Sequence, residues 1–373
     1  MTVASADQRP GRRRAAPEPG QRRIGPLRRT GHDRETPEPT PPPKPERARR
    51  WASALVRVGL LLVVLVGFAG VVVAWTPFDA PAWAPDVGAV LVTTAYAFAL
   101  AARTGGRPLL AGALAAALAG LAVLTDGPML LAAAAVCTAT VGAVLGVMAT
   151  TPAARFPAVA RECLVAVVVV ALAAFAANAY DAEVSVARAG YLVLGLSLVG
   201  ALVLAYRLAA GLHGLGRRGV VMLLSGLGLL AVSLAYTEAL SHWGSPELVD
   251  SFERGRLRLR DAIGAVPHPL AFLLGIPALA WGVSTRARRR QGWWGTGFGA
   301  AGLAVVATSL LDPDVSLLEA GLASAYSLVV GLLLGYLVIR ADSFLSGARG
   351  RRARRLEEAS AHRPEPGRSH ALL

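Results

Sequence analysis

The stretch that decides the fold runs from Pro128 to Thr150 and reads PMLLAAAAVCTATVGAVLGVMAT. It carries no charged residue, and it is long enough to supply the about 20 apolar residues that a helix needs to cross a bilayer. The rest of the chain has a similar character, because 54% of its 373 residues are hydrophobic and 17% are charged. A soluble chain of this length needs a larger charged fraction to cover its surface. The composition therefore excludes an ordinary globular enzyme and predicts an integral membrane protein.

Further apolar runs of similar length follow one another along the chain, with short polar breaks between them. They predict an all-α, polytopic integral membrane helical bundle of about ten transmembrane helices. Pro108, Pro128 and Pro267 stand at helix starts, where the missing amide proton costs little. The predicted spans are 53–75, 87–102, 108–124, 128–150, 163–180, 189–212, 219–240, 267–285, 295–311 and 315–339.

The charged residues divide the chain into three parts. Residues 1–50 hold 13 basic residues and 10 of the 24 prolines, and residues 341–373 are also basic. Most of the net charge of +14 comes from these two segments. They contain too few apolar residues to offset the entropy lost on ordering, so we expect disordered basic tails on either side of a bundle at 51–340. The proline run at 37–45 favours polyproline II.

The distribution of charge between the loops predicts the orientation. If residues 1–50 are cytoplasmic, the inner side of the middle region collects twelve arginines and one acid, Glu162, whereas the outer side collects five arginines and thirteen acids. This asymmetry satisfies the positive-inside rule, and both termini are predicted to be cytoplasmic, in the plasma membrane. The inner arginines, interpreted as topological anchors, are Arg57, Arg103, Arg107, Arg155, Arg161, Arg207, Arg217, Arg218, Arg286, Arg288, Arg289 and Arg290.

The basic residues indicate a lipid partner and not a nucleic acid. The basic clusters flank apolar spans, and no nucleic-acid recognition fold lies between them. Attraction to anionic lipid headgroups at the inner face is the simpler interpretation, at about 1 kcal/mol per basic residue.

Several small motifs have a structural explanation. Cys137 and Cys163 form no CxxC pair, and the six histidines form no HExxH motif. The sequence therefore predicts no disulfide framework, no metal site, no cofactor and no catalytic residue that we can name. Gly297–Gly302 fits the GxGxxG pattern, but no strand precedes it. We interpret it, like the pair Gly142 and Gly146, as small residues that allow close helix packing in lipid.

Polar residues near the outer ends of the spans form the main candidate site. Such residues are costly in a membrane and usually face the bundle interior. In a compact bundle they would line one vestibule, where a carboxylate beside a histidine or tyrosine could carry a proton or accept a cation. The alternative is that the acids simply cover the outer face. Glu238 and Glu319 lie deepest and are the first choices. The full set is Asn178, Asp181, Tyr236, Glu238, His242, His268, Asp312 and Glu319.

The longest outer loop, 241–266, holds a second candidate site. A cap, a proline and an early acid at 245–247 predict a helix that lies on the membrane, although residues 256–260 also alternate like a strand. Its arginines could contact phosphates or lipid headgroups, or they could be neutralised by Asp250 and Glu253 at helical spacing. These arginines are Arg254, Arg256, Arg258 and Arg260.

Three functions are compatible with this pattern. A permease for a small solute or lipid-linked molecule is favoured by the spans, which divide into five plus five, and by the short loops. The chain has no Walker motif, so an ATP-driven version needs a separate ATPase subunit. A cell-envelope scaffold would use the proline- and arginine-rich tail to recruit other envelope proteins. The third function is a membrane enzyme that acts on a polyprenyl-linked substrate. Asp79 and Asp86 resemble residues of polytopic glycosyltransferases that use a polyprenyl-phosphate sugar. The loop that holds them is short, however, and the sequence favours a protein that is not an enzyme.

Overall fold

The computed structural model describes residues 45–73, 75–77, 81–209, 216–288, 291–346, 352, 365–368 and 370–372, without the side chains of 45–53, 216–218, 237, 240–242, 248 and 346. The described residues form helices and no strand. Residues 1–44 of the predicted tail at 1–50 lie outside them, with the proline run up to residue 44, whereas residues 45–50 are helical and do not follow the prediction of disorder. The helices are α1 (Pro45–Val73), α2 (Ala84–Arg103), α3 (Pro108–Thr125), α4 (Pro128–Met148), α5 (Phe156–Asn178), α6 (Val186–Leu208), α7 (Gly216–Trp243), α8 (Pro246–Ile263), α9 (Ile276–Arg286), α10 (Gly292–Thr308) and α11 (Leu317–Ser346).

Eight of the helices, α1 to α7 and α11, are long and apolar enough to cross a membrane. The all-helical, multi-pass architecture is therefore confirmed. A helix also occupies each of the two remaining predicted spans, but α9 and α10 are shorter, and the count of ten stays a prediction. Pro108 and Pro128 begin their helices as expected. Pro267 lies two residues before a short helical stretch at 269–270, which precedes α9. A π-helical turn at Ala271–Gly275 leads directly into α9.

Helix α10 forms the centre of the described bundle. It packs against α4, α5, α6, α7 and α9, and fifteen of its seventeen residues are buried. Trp293 and Phe298 are among the largest fully buried side chains of the protein. A helix that is apolar on every face must be surrounded by other apolar elements, which explains why the sequence of α10 carries no charged residue.

Glycines bring α10 into close contact with α9. A Cβ atom on Gly275 would lie 2.2 Å from the Cα atom of Gly302, and one on Gly282 would lie 2.3 Å from the backbone nitrogen of Thr296. Lipid supplies no hydrophobic drive between helices, so close backbone approach must stabilise the pair by van der Waals contact. The packing interpretation of Gly297–Gly302 is therefore confirmed.

The outer surface of the bundle is apolar. Leu109 and Leu114 of α3, Leu196 of α6 and Leu224 of α7 are all exposed. A water-soluble monomer rarely exposes so large a continuous apolar surface. Lipid tails solvate such side chains, so this surface agrees with the multi-pass architecture.

The two ends of the bundle differ in their charged residues. Arg103 at the end of α2, Glu162 at the start of α5 and Arg286 at the end of α9 define what we call the arginine end. Asp86 at the start of α2 and Glu319 at the start of α11 define the acidic end. The segregation of basic and acidic residues that the loops predict is thus reproduced for these side chains.

The C-terminal part of the chain differs from the prediction of a disordered tail after residue 340. Helix α11 continues to Ser346, and residues 365–368 and 370–372, which we call the C-terminal segment, contact the arginine end. Composition alone suggested disorder because it ignores specific partners. Glu365 and Arg368 find buried groups of opposite charge, which offsets the entropy lost on ordering.

The loop at 241–266 contains a helix, α8, and the strand alternative is wrong. Pro246 is its first residue and Glu247 lies in its first turn, as the capping pattern predicts. The described side chains of α8 are largely exposed, apart from partly buried Arg260. Its charged and apolar residues therefore both lie at the surface of the acidic end.

Candidate functional site

The residues predicted to line an outer vestibule lie on several different surfaces. Asn178 ends α5, and its carbonyl accepts a hydrogen bond of 3.0 Å from the amide of Asp181, which has a left-handed φ of 44°. Tyr236 and Glu238 are exposed on α7, and the side chain of His242 lies outside the described residues. Because Tyr236 and Glu238 are exposed, they do not line a buried cavity in this structure. A vestibule common to all the predicted residues stays a prediction.

Glu319 is held by an arginine of the neighbouring helix α8. Its carboxylate forms an ion pair with the guanidinium of Arg260. The hydroxyl group of Tyr326 donates a hydrogen bond of 2.9 Å to the carbonyl of Ile263, which fixes α8 to α11 at a second point. The structure thus joins one residue from each of the two predicted sites.

His268 is bonded to α11, whereas Asp312 has a local partner. The backbone amide of His268 donates to the hydroxyl oxygen of Ser327 at 2.8 Å, while its Nε2 atom is buried and has no partner among the described groups. A carboxylate oxygen of Asp312 accepts a bond of 3.1 Å from the amide of Asp314. These contacts shape the entry into α9 and the turn before α11.

The arginines of α8 are partly neutralised within their own helix. Glu253 accepts two hydrogen bonds from Arg256, of 3.0 Å from Nε and 2.6 Å from Nη2. These hydrogen bonds hold the pKa of the Glu253 carboxyl below its usual value. The expected neutralisation is confirmed for this pair. Arg254 and Arg258 are exposed, and contact with lipid headgroups stays a prediction for them.

A buried group of three hydroxyls lies inside the bundle. The hydroxyl oxygen of Thr93 in α2 lies 2.7 Å from that of Thr138 in α4 and 2.8 Å from that of Tyr180, which follows α5. We call these residues the hydroxyl triad. Thr93 and Thr138 stand near the middle of their helices, and Ser and Thr in helices often bond their own backbone instead. Here they join α2 and α4 to the residue Tyr180, which follows α5.

Close helix contacts separate the hydroxyl triad from the arginine end. A Cβ atom on Gly142 would lie 2.2 Å from the Cβ atom of Ala173, and one on Gly146 would lie 2.7 Å from a methyl group of Val170. The predicted packing role of this glycine pair is confirmed. The interface between α4 and α5 leaves no room for another molecule at these positions.

Arg103 is the first of the buried charges at the arginine end, and 5% of its surface is exposed. Its Nε atom donates to the carbonyl of Met148 at 2.9 Å. Its Nη1 atom donates to the carbonyls of Gly367 and His370, at 2.9 and 2.5 Å. The Nη2 atom is buried and has no partner among the described groups. An arginine so deeply buried needs partners for all its donors, because desolvation of the charge is costly.

Arg286 lies in the same region, and its side chain is fully buried. It donates to the hydroxyl and carbonyl oxygens of Thr150, at 2.8 and 3.0 Å, and its guanidinium lies 3.6 Å from the ring centre of Trp293. The carboxylate of Glu365 accepts from its Nε atom at 3.3 Å and from its Nη2 atom at 2.5 Å. The guanidinium group thus forms two hydrogen bonds with one carboxylate, and the face of the Trp293 ring packs against the guanidinium.

Glu162 is the acid of this region, and its side chain is fully buried. It accepts hydrogen bonds from the amide of Thr151 at 2.8 Å, from Arg368 at 2.6 Å and from Arg161 at 3.1 Å. Arg368 also donates to the carbonyl of Ala149 at 2.8 Å. The C-terminal segment therefore contributes both a carboxylate and a guanidinium to what we call the charge cluster.

The charge cluster consists of three arginines and two glutamates from distant parts of the chain. Because the arginines outnumber the acids, the cluster has a positive balance in a region of low polarity. Such a place favours one more negative group, and guanidinium forks fit carboxylate or phosphate oxygens. The members are Arg103, Arg286, Arg368, Glu162 and Glu365.

Sequence reasoning assigned Arg103 and Arg286 to topology and not to a site. One sequence signal was present, since Glu162 is the single acid among twelve inner arginines. An acid in so basic a set indicates a specific partner. The contribution of Glu365 and Arg368 had no signal in the sequence, because their charged partners lie 79 and 206 residues away.

No protein-family model matches the chain, and searches of curated proteins and of solved structures find no match. Within the described part of the chain, no group of three or more His, Cys, Asp or Glu residues could hold a metal ion. The hydroxyl triad and the charge cluster are therefore the features of the described bundle that bear on function.

Proposed function

We propose that this protein is a permease that moves a small solute or a lipid-linked molecule along the interface of α2, α4 and α5. One observation carries the proposal: Thr93 and Thr138, near the middle of α2 and α4, form a buried hydroxyl triad with Tyr180, which follows α5. The same region of the bundle holds buried charges at the arginine end of α2 and α5. Thr93 and Arg103 are ten residues apart on α2, which corresponds to a rise of about 15 Å. Transport sites commonly lie near mid-membrane, between helices that can move apart.

The cost of polar groups in a membrane supports this proposal. Charged groups inside an apolar bundle are expensive and commonly mark pathways, and the hydroxyl triad adds polar groups to the same interface. The close contacts at Gly142 and Gly146 close the interface on the side of the arginine end. A permease needs such a closed barrier on one side of its site, and separation of α4 from α5 would open it.

The orientation follows from the charge distribution. Under the positive-inside rule, the arginine end faces the cytoplasm of a cell bounded by this plasma membrane, with anionic headgroups beside it. Both termini are then cytoplasmic. Labelling of cysteines from outside intact cells tests this orientation. It is contradicted if a cysteine near Arg288 reacts or one near Asp250 does not.

A cysteine accessibility experiment tests the pathway without knowledge of the substrate. In a chain with Cys137→Ala and Cys163→Ala, Thr138→Cys places one thiol at the hydroxyl triad. We expect it to react with a small, membrane-impermeant thiol reagent in proteoliposomes, because a permease exposes its site to water in part of its cycle. The matched control is Val168→Cys, on the lipid-exposed face of α5, which should stay unreactive. The pathway is wrong if Thr138→Cys is inert from both sides.

Uptake into proteoliposomes then tests transport itself. Labelled inorganic phosphate, an amino acid and a sugar form a panel of anionic, zwitterionic and neutral solutes. Deletion of residues 1–45 should leave uptake intact, whereas an envelope scaffold would lose its activity with that tail. If Thr138→Cys is labelled but no solute of any class enters the vesicles, the proposal is contradicted for small solutes. The lipid-linked substrate is then tested by measuring the movement of a fluorescent polyprenyl phosphate between the two leaflets.

A further inference from the structure

The carboxylate of Glu365 binds in the charge cluster in the way that an anionic ligand would bind. It reaches Arg286 from outside the helix bundle and accepts two hydrogen bonds from one guanidinium fork. It belongs to the C-terminal segment, which also covers Arg103 through two carbonyl groups. At Arg103 and Arg286 the bundle supplies the donors, and the segment supplies the acceptors.

The donors are built into the bundle without the segment. Arg286 is positioned by Thr150 and by the face of Trp293, and Arg103 is positioned by the carbonyl of Met148. Removal of the segment would leave the donors of Arg286 that bind Glu365, and the Nη1 donors of Arg103 that bind Gly367 and His370, without these acceptors. Buried guanidinium groups of this kind recognise oxyanions through charge-assisted hydrogen bonds.

One donor is unused even with the segment in place. The Nη2 atom of Arg103 is buried and has no partner among the described groups, and only 5% of the residue's surface is exposed. Two neutral carbonyls and one carboxylate therefore leave the pair of arginines incompletely satisfied. A phosphate group carries more acceptor oxygens and more charge than a carboxylate, and it can serve both arginines.

We infer that Arg103 and Arg286 form a binding site for a phosphate group, and that Glu365 of the C-terminal segment competes for it. The phosphate belongs either to a free solute or to the headgroup of a lipid, and both present the same oxyanion. Binding releases Glu365 from Arg286 and the two segment carbonyls from Arg103. Arg368 and Glu162 form a second attachment that keeps the segment close to the bundle.

This inference goes beyond the proposed transport function, since it concerns binding at the arginine end. If the permease proposal is correct, the site lies where a solute enters or leaves on that side. If transport fails, a phosphate site that controls the C-terminal segment still stands. The two are separated by measuring binding without any gradient.

The experiment follows the segment with a spin label. Ala371→Cys, at an exposed position of the segment, is labelled in the chain with Cys137→Ala and Cys163→Ala. The protein is placed in phosphatidylcholine nanodiscs and titrated with inorganic phosphate, with chloride at equal ionic strength as control. We expect phosphate, and not chloride, to convert an immobile label into a mobile one.

Variants assign the effect to the named residues. Glu365→Gln weakens the competitor, so the phosphate concentration at the midpoint should fall about tenfold. Arg286→Gln should abolish the response, whereas Arg207→Gln, an exposed arginine at the same end, should respond like the parent. An unchanged response in Arg286→Gln would overturn the assignment.

The source of the phosphate group is decided by a second arm in phosphatidylglycerol nanodiscs. A label that is already mobile there without added phosphate identifies the lipid headgroup as the ligand. A label that stays immobile until phosphate is added identifies a free solute. A label that stays immobile under all conditions overturns the inference and makes the segment a permanent part of the bundle.

Direct binding provides a measurement that does not depend on the label. Equilibrium dialysis with labelled inorganic phosphate compares the full chain with a chain that ends at residue 364. The shortened chain should bind about tenfold more tightly, because the competitor is absent. Equal affinity of the two chains, or no binding to either, contradicts the competition.

Discussion

The arginine end and the acidic end handle their charges in opposite ways. At the arginine end, Arg103, Glu162 and Arg286 are buried, and each has at least one partner more than a hundred residues away in sequence. At the acidic end, Glu253 pairs with a neighbour in its own helix, and the pair is exposed. The comparison shows that charge counts per loop predict which end a residue occupies, whereas burial decides whether it stabilises the fold.

The largest expected difference between the ends concerns their acids. Glu162→Gln removes a fully buried charge and leaves Arg368 without its carboxylate. We expect a loss of about 2–3 kcal/mol in the free energy of unfolding, because the fully buried carboxylate loses its charge-assisted hydrogen bonds, while Arg368, which is 43% exposed, stays solvated. SDS-titrated unfolding of the purified protein measures this change.

The matched variant at the acidic end is Glu319→Gln. It breaks the ion pair with Arg260, whose side chain is 41% exposed. Its expected cost is about 1 kcal/mol or less, since water screens the pair. Equal losses for Glu162→Gln and Glu319→Gln would remove the distinction between the two ends.

The second prediction compares arginines instead of acids. Arg286→Lys keeps the positive charge but loses the fork on Glu365 and the contact with Trp293. A lysine cannot reproduce this planar geometry, so we expect a cost of about 2 kcal/mol from lost charge-assisted hydrogen bonds. Arg260→Lys at the acidic end should cost about 0.5 kcal/mol. If both substitutions are equally tolerated, Arg286 acts only as a point charge.

The third prediction sharpens the comparison within the bundle. Tyr180→Phe removes one hydroxyl from the triad and leaves Thr93 with one partner fewer. We expect a loss of about 1 kcal/mol in unfolding free energy, typical of one buried hydrogen bond. Tyr191→Phe, at a lipid-exposed tyrosine of α6, should be unchanged. A neutral Tyr180→Phe would show that the triad contributes no stability.

The smallest effect is expected at Glu253, and it depends on pH. Its pKa is lowered in the folded protein by hydrogen bonds from Arg256. A lowered folded pKa means that the pair's contribution is present above the ordinary glutamate value of 4.5 and is lost as the pH falls through the folded pKa. Carbon-13 NMR titration of the Glu253 carboxyl should show a midpoint below 4.5. In Arg256→Gln the midpoint should rise, and an unchanged midpoint would contradict the pairing.

The sequence predicts the helices well because their signals are local. Apolar length marks the spans, and Pro108 and Pro128 mark two helix starts. The glycine spacing at Gly142 and Gly146 predicts close packing, because only small residues allow two backbones to approach in lipid. Each of these properties depends on residues within one helix, so one sequence is enough to find them.

The charge cluster escapes sequence reasoning because it depends on contacts between distant residues. Arg103 fits the positive-inside rule whether it faces headgroups or lies buried in protein, so the rule cannot distinguish the two. The segment around Arg368 is polar enough to suggest disorder, and only the buried partner Glu162 explains why it is ordered. Likewise, Thr93 could bond its own helix, and its contact with Tyr180 requires the positions of three helices.

The attachment of the C-terminal segment has a consequence for how the protein is made. Residues 365–372 leave the ribosome only after every helix of the bundle has been synthesised. During insertion, Arg103, Glu162 and Arg286 therefore enter the membrane before Glu365 and Arg368 exist. Until those residues are made, Arg103 and Arg286 have only their partners within the bundle, and Glu162 lacks the guanidinium of Arg368.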